Sequence, residues 1–432
     1  MKYAPIPFKL FSDNRKRFSK FLRPGSIAVF NSNDIMPTNA DGSMTFRQNS
    51  DLFYLSGVDQ EDSILVVFPD SWEEKHKEVL FLKETNEKIA IWEGAKLTKE
   101  KAVEVSGVKT VYWLSEFERI FKTLVCEAKT IYLNSNEHLR AVVEVETRDS
   151  RFIQWCKRNY PLHVYERSAP IMHELRSLKS ETEIQLIRQA CAITEKGLRR
   201  ILKFIKPGVM EYEIEAELTH EFLYNRSRGH AYSPIIASGK NACVLHYIDN
   251  DKKCEKGDVI LMDFGAEYAN YASDLTRCAP VGGRFTIRQK AVYNAVLRVM
   301  KGATKMLVPG TILKDYHKEV GKLMEKELVG LGLLKMSDLK KESPETELEK
   351  KLYRKYFMHG TSHFLGLDVH DVGLWNKPIK EGMVFTCEPG IYIIEEKLGI
   401  RLENDILITK KGPVNLMENI PVEAGEIEEL MN

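Results

Sequence analysis

The feature that most constrains this chain is a pattern in its second half that occurs twice. Ser180 and Glu183 form an S-x-x-E capping box opening a helix. Its apolar positions Ile184, Ile187, Cys191, Leu198, Ile201 and Ile205 recur at helical spacing until Pro207-Gly208 stops it. The amphipathic stretch EYEIEAELTHEFL follows. About a hundred residues later Thr286 and Gln289 form a second capping box, and that helix ends at Val308-Pro309-Gly310-Thr311. A second amphipathic stretch, LKDYHKEVGKLMEKEL, comes next. Each helix pair leads into strand-like segments with histidines, and each ends in two carboxylates. A chain written this way folds as two similar α/β halves facing each other, with both carboxylate pairs at the shared centre.

The carboxylates sit in two strand–turn–strand segments. GDVILMDFG (257–265) is apolar and β-rich, and NYASDLTRCAPV (270–281) is its expected hairpin partner. A turn centred between Tyr268 and Ala269 places Asp263 opposite Asp274. The same construction on MVFTCEPGIYI (383–393) and GIRLENDILI (399–408), with the turn centred between Glu395 and Glu396, places Glu388 opposite Glu403. Opposed residues of an antiparallel pair share a face, with Cβ atoms about 5 Å apart. Like charges on a buried face repel and are desolvated, so they require cations. Pro389 supports the strand, because the residue before a proline is pushed toward extended geometry.

In MHGTSHFLGLDVHDVG (358–373), His359 and His363 are four apart and share a face in either a strand or a helix. Gly360, Gly366 and Gly373 argue for a loop or strand close to a ligand. With His363 added, Asp263, Asp274, Glu388 and Glu403 form an oxygen-rich set suited to two hard or borderline divalent cations rather than one structural zinc. Such a pair activates water and clamps a carbonyl, which points to hydrolysis. The other histidines, His246, His359 and His370, are placed to stabilise an oxyanion or shuttle a proton. His220, His230 and His317 lie in charged helical or loop settings and read as structural. No G-x-S-x-G elbow, Walker loop or HExxH is present, and Cys387 in a strand would face away from Glu388.

Residues 1–172 alternate β-branched runs (26–31, 63–69, 78–83, 130–134) with helical segments such as 13–22 and 136–147, giving an N-terminal α/β domain with a mixed sheet. Residues 173–432 form the second domain. The charge-rich segment 334–356 reads as a solvated helix–loop insertion. With 63 basic and 62 acidic side chains, the chain has no general affinity for nucleic acid. No stretch of about 18 apolar residues is present to cross a membrane. Seven scattered cysteines and an N-terminus without a signal-peptide pattern fit the cytoplasm.

At these residues the chain closely resembles the pita-bread metallopeptidases, in particular the aminopeptidase P group, over nearly its full length. FRQNSDLFYLSG (46–57) is similar to that group's N-terminal signature. ASGKNACVLHY, LMDFGAEYANYASDLTR, MHGTSHFLGLDVHDVG, TCEPGIYI and GIRLEND are similar to its catalytic blocks. The resemblance implies a pseudo-twofold C-terminal catalytic domain that hydrolyses the N-terminal Xaa-Pro bond of peptides with proline second. It further implies two metal ions, manganese before zinc or cobalt. Asp263 would bind one and His363 and Glu388 the other, with Asp274 and Glu403 bridging. Glu388 would take the proton of the hydroxide nucleophile held between the metals. His246, His359 and His370 would orient the peptide, and Arg401 would fix the site. Tyr232 falls at a substrate-pocket position, and Trp92 at one that would act in a neighbouring subunit's site of a homo-oligomer, dimer or tetramer. Prolidase is the nearest rival, and Ser362 of GTSH leans away from it, since prolidases tend to have glycine there. The rival from another class is a metal-free pita-bread binding protein, against which the five filled ligand positions speak.

Overall fold

Residues 3–343 and 345–432 are described by the structure, a computed structural model. They divide into two units, Tyr3–Arg176 and Ser177–Asn432. The first is built on one six-stranded mixed sheet of β1 (Ser26–Asn31), β2 (Ser63–Val67), β3 (Glu78–Leu82), β4 (Thr110–Trp113), β5 (Thr130–Leu133) and β6 (Val164–Arg167). Its spatial order is β4-β3-β2-β1-β5-β6, with β1/β2 and β2/β3 antiparallel and the rest parallel. The two central strands β1 and β2 are buried along their whole length, which is why they read as unbroken apolar runs rather than alternating ones.

Two helix expectations need correction here. The helix expected at 13–22 runs Lys9–Ser19. The one expected at 136–147 is absent, and a helix begins instead at Arg148, where the Thr147 side chain accepts the Ser150 N–H as an N-cap. Leu139, Val142, Val143 and Val145 are all exposed, so no apolar face exists there to drive a helix against the sheet.

In the second unit both capping boxes form. Ser180 N–H donates to Glu183 Oε2 at 2.8 Å ahead of helix Glu181–Phe204, and Thr286 N–H donates to Gln289 Oε1 at 2.9 Å ahead of helix Ile287–Met306. The helices that follow are Glu211–Tyr224 and Leu313–Gly330. The two Pro-Gly turns close alike. Gly208, at φ +97°, donates its N–H to Cys254 O at 2.9 Å, and Val209 O accepts the Cys254 N–H at 2.8 Å. Gly310, at φ +92°, donates to Ile379 O at 2.9 Å, and Thr311 O accepts the Ile379 N–H at 2.8 Å. Matching hydrogen bonds at matching positions are what a duplicated half predicts.

Each half then forms a small antiparallel sheet: β7 (Ile235–Ser238), β8 (Val259–Phe264) and β11 (Leu275–Pro280) in one, β12 (Val384–Cys387), β15 (Asn404–Thr409) and β16 (Gly412–Asn415) in the other. Each carries a separate hairpin tip: β9 (Glu267–Tyr268) with β10 (Tyr271–Ala272), and β13 (Gly390–Ile393) with β14 (Leu398–Arg401). Among the described residues no helix is long and apolar enough to cross a membrane, and all seven cysteines are free. In the 334–356 segment the outer residues are exposed, but Tyr353 and Tyr356 are buried, so its C-terminal end belongs to the packed unit rather than to a solvated insertion.

Candidate metal centre

In the second half both carboxylates lie where the main ladder breaks before the hairpin tip, whereas in the first Asp274 lies at that break and Asp263 one pair inside the ladder. In the second half the register is the expected one: Cys387 pairs with Asn404 on one side of the break and Gly390 with Arg401 on the other, leaving Glu388 and Glu403 opposed. In the first half it is shifted. Phe264 pairs with Leu275 and Asp263 with Thr276, so Asp263 is not directly opposite Asp274. The turn is the cause. Ala269 and Asn270 both take positive φ, 54° and 68°, the two-residue geometry that suits a twisted hairpin, which moves the turn centre one position along the chain. A two-residue offset in pairing keeps both carboxylates on one face, and the Tyr232 hydroxyl reaches Asp263 Oδ1 at 2.6 Å and Asp274 Oδ1 at 2.5 Å. Burial, and then Asp263, pushes Asp274 well above the ordinary carboxylate range.

The histidine segment runs alongside β12. Leu365 N–H donates to Val384 O at 3.1 Å, Thr386 N–H to His363 O at 3.0 Å, and Glu388 N–H to Thr361 O at 2.8 Å. This added strand fixes His363 in the middle of the carboxylates. Its Nδ1 lies 3.0 Å from Phe364 O, an atom that only accepts, so Nδ1 carries the proton and Nε2 presents a lone pair. Nε2 is 3.4 Å from Asp274 Oδ2 and 3.5 Å from Glu388 Oε1. One ligand atom each from Asp274, His363 and Glu403 lies within 4.8 Å of the others, and all three residues are buried. Lone pairs converging in a buried space, on a histidine oriented through its other nitrogen by a backbone carbonyl, are the donor set of a cation site. Burial also pushes Glu403 well above its ordinary range, with Asp274 and Glu388 adding to it, and raises Glu388 to about 7.

Arg401 ties the cluster together. Its Nη2 donates to Asp263 Oδ2 at 2.5 Å, Nε to Thr276 Oγ1 at 3.2 Å, and Nη1 to the Tyr392 hydroxyl at 2.9 Å. Thr276 Oγ1 in turn donates to Glu403 Oε2 at 2.7 Å. The Tyr392 hydroxyl is 2.8 Å from His359 Nε2, while His359 Nδ1 is 2.7 Å from Gly360 O. His359 is therefore neutral with its proton on Nδ1; burial, reinforced by Arg401, pushes it down to about 3. His370 is exposed, and its ring meets the His363 ring edge-on at 4.5 Å. His246 is exposed, and its field reaches His359. It sits beside Tyr247, whose hydroxyl donates to the buried Glu211 at 2.7 Å. Trp92 is 89 % exposed on helix Glu87–Glu93.

Residues 185–410 match metallopeptidase family M24, and residues 11–132 match the aminopeptidase P N-terminal domain. The Xaa-Pro aminopeptidase of Haemophilus influenzae is 34 % identical over 99 % of this chain and 98 % of its own length. The chain belongs to metallopeptidase family M24. Among solved M24 structures, a putative aminopeptidase P from Bacillus anthracis matches with TM-score 0.90 at 34 % identity, covering 99 % of this chain and 98 % of that one. Zn-substituted Escherichia coli aminopeptidase P in complex with product matches with TM-score 0.86 at 33 % identity, covering 99 % of each. The fold is thus the α/β pita-bread architecture of the M24 enzymes, a family that works with divalent metal ions.

Several contact residues of this M24 site are not among the sequence candidates. Thr276 and Tyr392 carried no signal, since a single Thr or Tyr in a strand is ordinary. Thr276 becomes legible once the turn is placed on Ala269-Asn270, because it then falls opposite Asp263. Ser362, singled out as a residue of the motif, is buried and bonded to the Tyr316 hydroxyl at 2.9 Å. Cys387 faces the core, with Tyr316 and Met300 as neighbours, away from Glu388. Of the histidines read as structural, His230 bonds Thr219 at 2.9 Å, whereas His317 Nδ1 accepts the Thr361 N–H at 3.4 Å and so props the histidine strand.

Proposed function

We propose that this chain is an Xaa-Pro aminopeptidase, cleaving the first residue from peptides that carry proline second. The observation that carries this reading is the convergence of Asp274, His363 and Glu403 where the two half-domain hairpins meet, with Asp263 and Glu388 beside them, in a chain with an aminopeptidase P N-terminal domain. These residues would hold two divalent cations, with Asp263 serving one, His363 and Glu388 the other, and Asp274 and Glu403 shared. Manganese is the metal proposed, because four carboxylates and one imidazole suit a hard to borderline ion. Bound, the pair supplies a Lewis acid for the scissile carbonyl and an activated water.

The chain's own groups do the rest. Glu388, beside His363 in this cluster, would take a proton from the attacking water and return it to the departing proline nitrogen. The hydroxyl of Tyr232 orients Asp263 and Asp274, a ligand-holding role that its position supports better than a substrate contact. Arg401 holds Asp263 by a hydrogen bond and, through Tyr392, orients His359. His359, neutral in this arrangement, supplies a donor to the peptide once it releases Gly360 O. His246 and His370 flank it from separate loops as peptide contacts. We further propose a cytoplasmic homo-oligomer in which the exposed Trp92 contributes to a neighbouring copy's site, tested by light scattering of the wild type and Trp92→Ala.

The decisive test compares hydrolysis of an Xaa-Pro dipeptide with that of a longer Xaa-Pro-Xaa peptide by the manganese-loaded chain. Cleavage of the longer peptide is expected. Cleavage of the dipeptide alone would make the chain a prolidase instead.

A further inference from the structure

Two residues, one beside a motif and one within another, take no part in the chemistry above. Lys179 immediately precedes the first capping box, and Asp371 immediately follows His370. They lie 192 residues apart and meet as an ion pair at 2.9 Å, with each side chain only 1 % exposed. Room for it is made by Gly366, where a Cβ would stand 2.2 Å from Asp371 Oδ2 and 2.9 Å from Lys179 Nζ. A buried ion pair is a poor source of stability, because desolvating both charges offsets their attraction. Its best use is to select one arrangement of the elements it joins.

Here that arrangement is the loop that carries His370. Asp371 N–H donates to Phe364 O at 2.9 Å, Asp371 Oδ1 accepts the Val372 N–H at 2.9 Å, and Gly366 N–H donates to Asp368 O at 3.1 Å. The loop is thus closed on itself and fastened from outside through Asp371. The same corner holds both halves of the site. Ala272 N–H, two residues before Asp274, donates to Gly366 O at 2.8 Å. Lys179 N–H donates to Gly382 O at 2.9 Å, ahead of β12 and Glu388. Glu183 of the capping box, which feels the Lys179 charge, accepts from the Tyr271 hydroxyl at 3.2 Å.

We propose that Lys179 and Asp371 are positioning residues that set how His370 meets the peptide. Lys179 acts through Asp371, whose backbone neighbour His370 is held against the His363 ring. The proposal rests on the preceding reading only for the contact of His370 with substrate.

The test is the double variant Lys179→Met/Asp371→Asn, which removes both charges while keeping volume and the acceptor for Val372. Unfolding midpoint, bound manganese and steady-state kinetics on an Xaa-Pro-Xaa peptide are measured with and without His370→Ala or His359→Ala. Manganese content should be unchanged and KM should rise about tenfold, the scale of a lost outer-shell partner. The loss caused by His370→Ala should shrink by a similar factor in the double variant, while that caused by His359→Ala stays the same. Equal His370→Ala losses in both backgrounds, or a kcat loss that tracks lost manganese, would overturn the proposal. If the double variant does not fold, Lys179→Gln carries the same test. A readout that needs no activity is the NMR signal of the His370 ring, assigned by its loss in His370→Ala. It should shift in the double variant while that of His220 does not, and an unmoved His370 signal would overturn the proposal. A chain inactive on every Xaa-Pro peptide would defeat the functional reading and leave this signal to decide the positioning role.

Discussion

The two hairpins of the catalytic unit solve one problem in different ways. In the second, Glu388 and Glu403 face each other directly across the break in the ladder. In the first, the position opposite Asp263 is taken by Thr276, and Asp274 is displaced along the strand. The displaced geometry gives Thr276 work in the other half: its hydroxyl donates to Glu403, and its carbonyl accepts the Glu403 N–H at 3.1 Å. Duplicated halves therefore do not make interchangeable halves. A site at their junction uses a carboxylate pair from one and a carboxylate pair plus a cross-bracing threonine from the other.

The difference between the hairpins is tested first at Asp274 and Glu403, the residues proposed to be shared between the metals. Asp274→Ala and Glu403→Ala should each abolish peptide hydrolysis and lower the bound metal per chain, measured by elemental analysis; metal-dependent turnover retained in either would contradict the equivalent roles proposed. Thr276→Val comes next. It removes the donor to Glu403 at nearly constant volume and should lower kcat/KM by about 10–100-fold, the range for outer-shell partners. An unchanged rate would reduce the asymmetry to an accident of register.

A pH experiment sharpens the same contrast. Burial raises Glu388 from its ordinary 4.5 to about 7, and moves Asp274 and Glu403 upward too. Between about 4.5 and 7 the folded, metal-free chain binds protons that the unfolded chain has released, so its stability should fall as pH rises through that window. Added manganese should reverse this by displacing those protons, so its affinity should rise with pH through the same window. Thermal unfolding against pH, with and without metal, reads both slopes. A metal-free chain that grew more stable over the window would refute the assignment of buried, proton-holding carboxylates.

The smallest effects belong to the turns. Ala269 and Lys397, at φ 54° and 51°, hold left-handed backbone in the two hairpins. Replacing either with glycine should change stability by less than about 1 kcal/mol in denaturant titrations and leave kcat/KM untouched, since the side chains only strain or relieve the turn.

Much of this site was legible because its devices are local. Capping boxes, Pro-Gly stops and alternating apolar runs act within a few residues, and both helix starts follow from them. The second hairpin's register was readable for the same reason, since its turn lies midway between the flanking apolar strands. The first was misread by one position at the turn because Asn270, a residue that tolerates left-handed backbone, outweighs the symmetry of the flanking runs. The expected helix at 136–147 failed for a complementary reason: charge and helix formers were present, but no partner surface was available to bury its apolar residues.

The sequence by itself determined the family, the duplicated halves and a carboxylate-rich set with one histidine, because those follow from residue identity and short-range periodicity. Tertiary structure alone decided that Tyr232 bridges two carboxylates, that Thr276 braces the opposite half, and that Lys179 reaches Asp371 across 192 residues. Each depends on which long-range partner fills a buried position. A linear pattern does not encode that choice, because a buried polar group takes its partner from whatever the packed chain brings within hydrogen-bond reach.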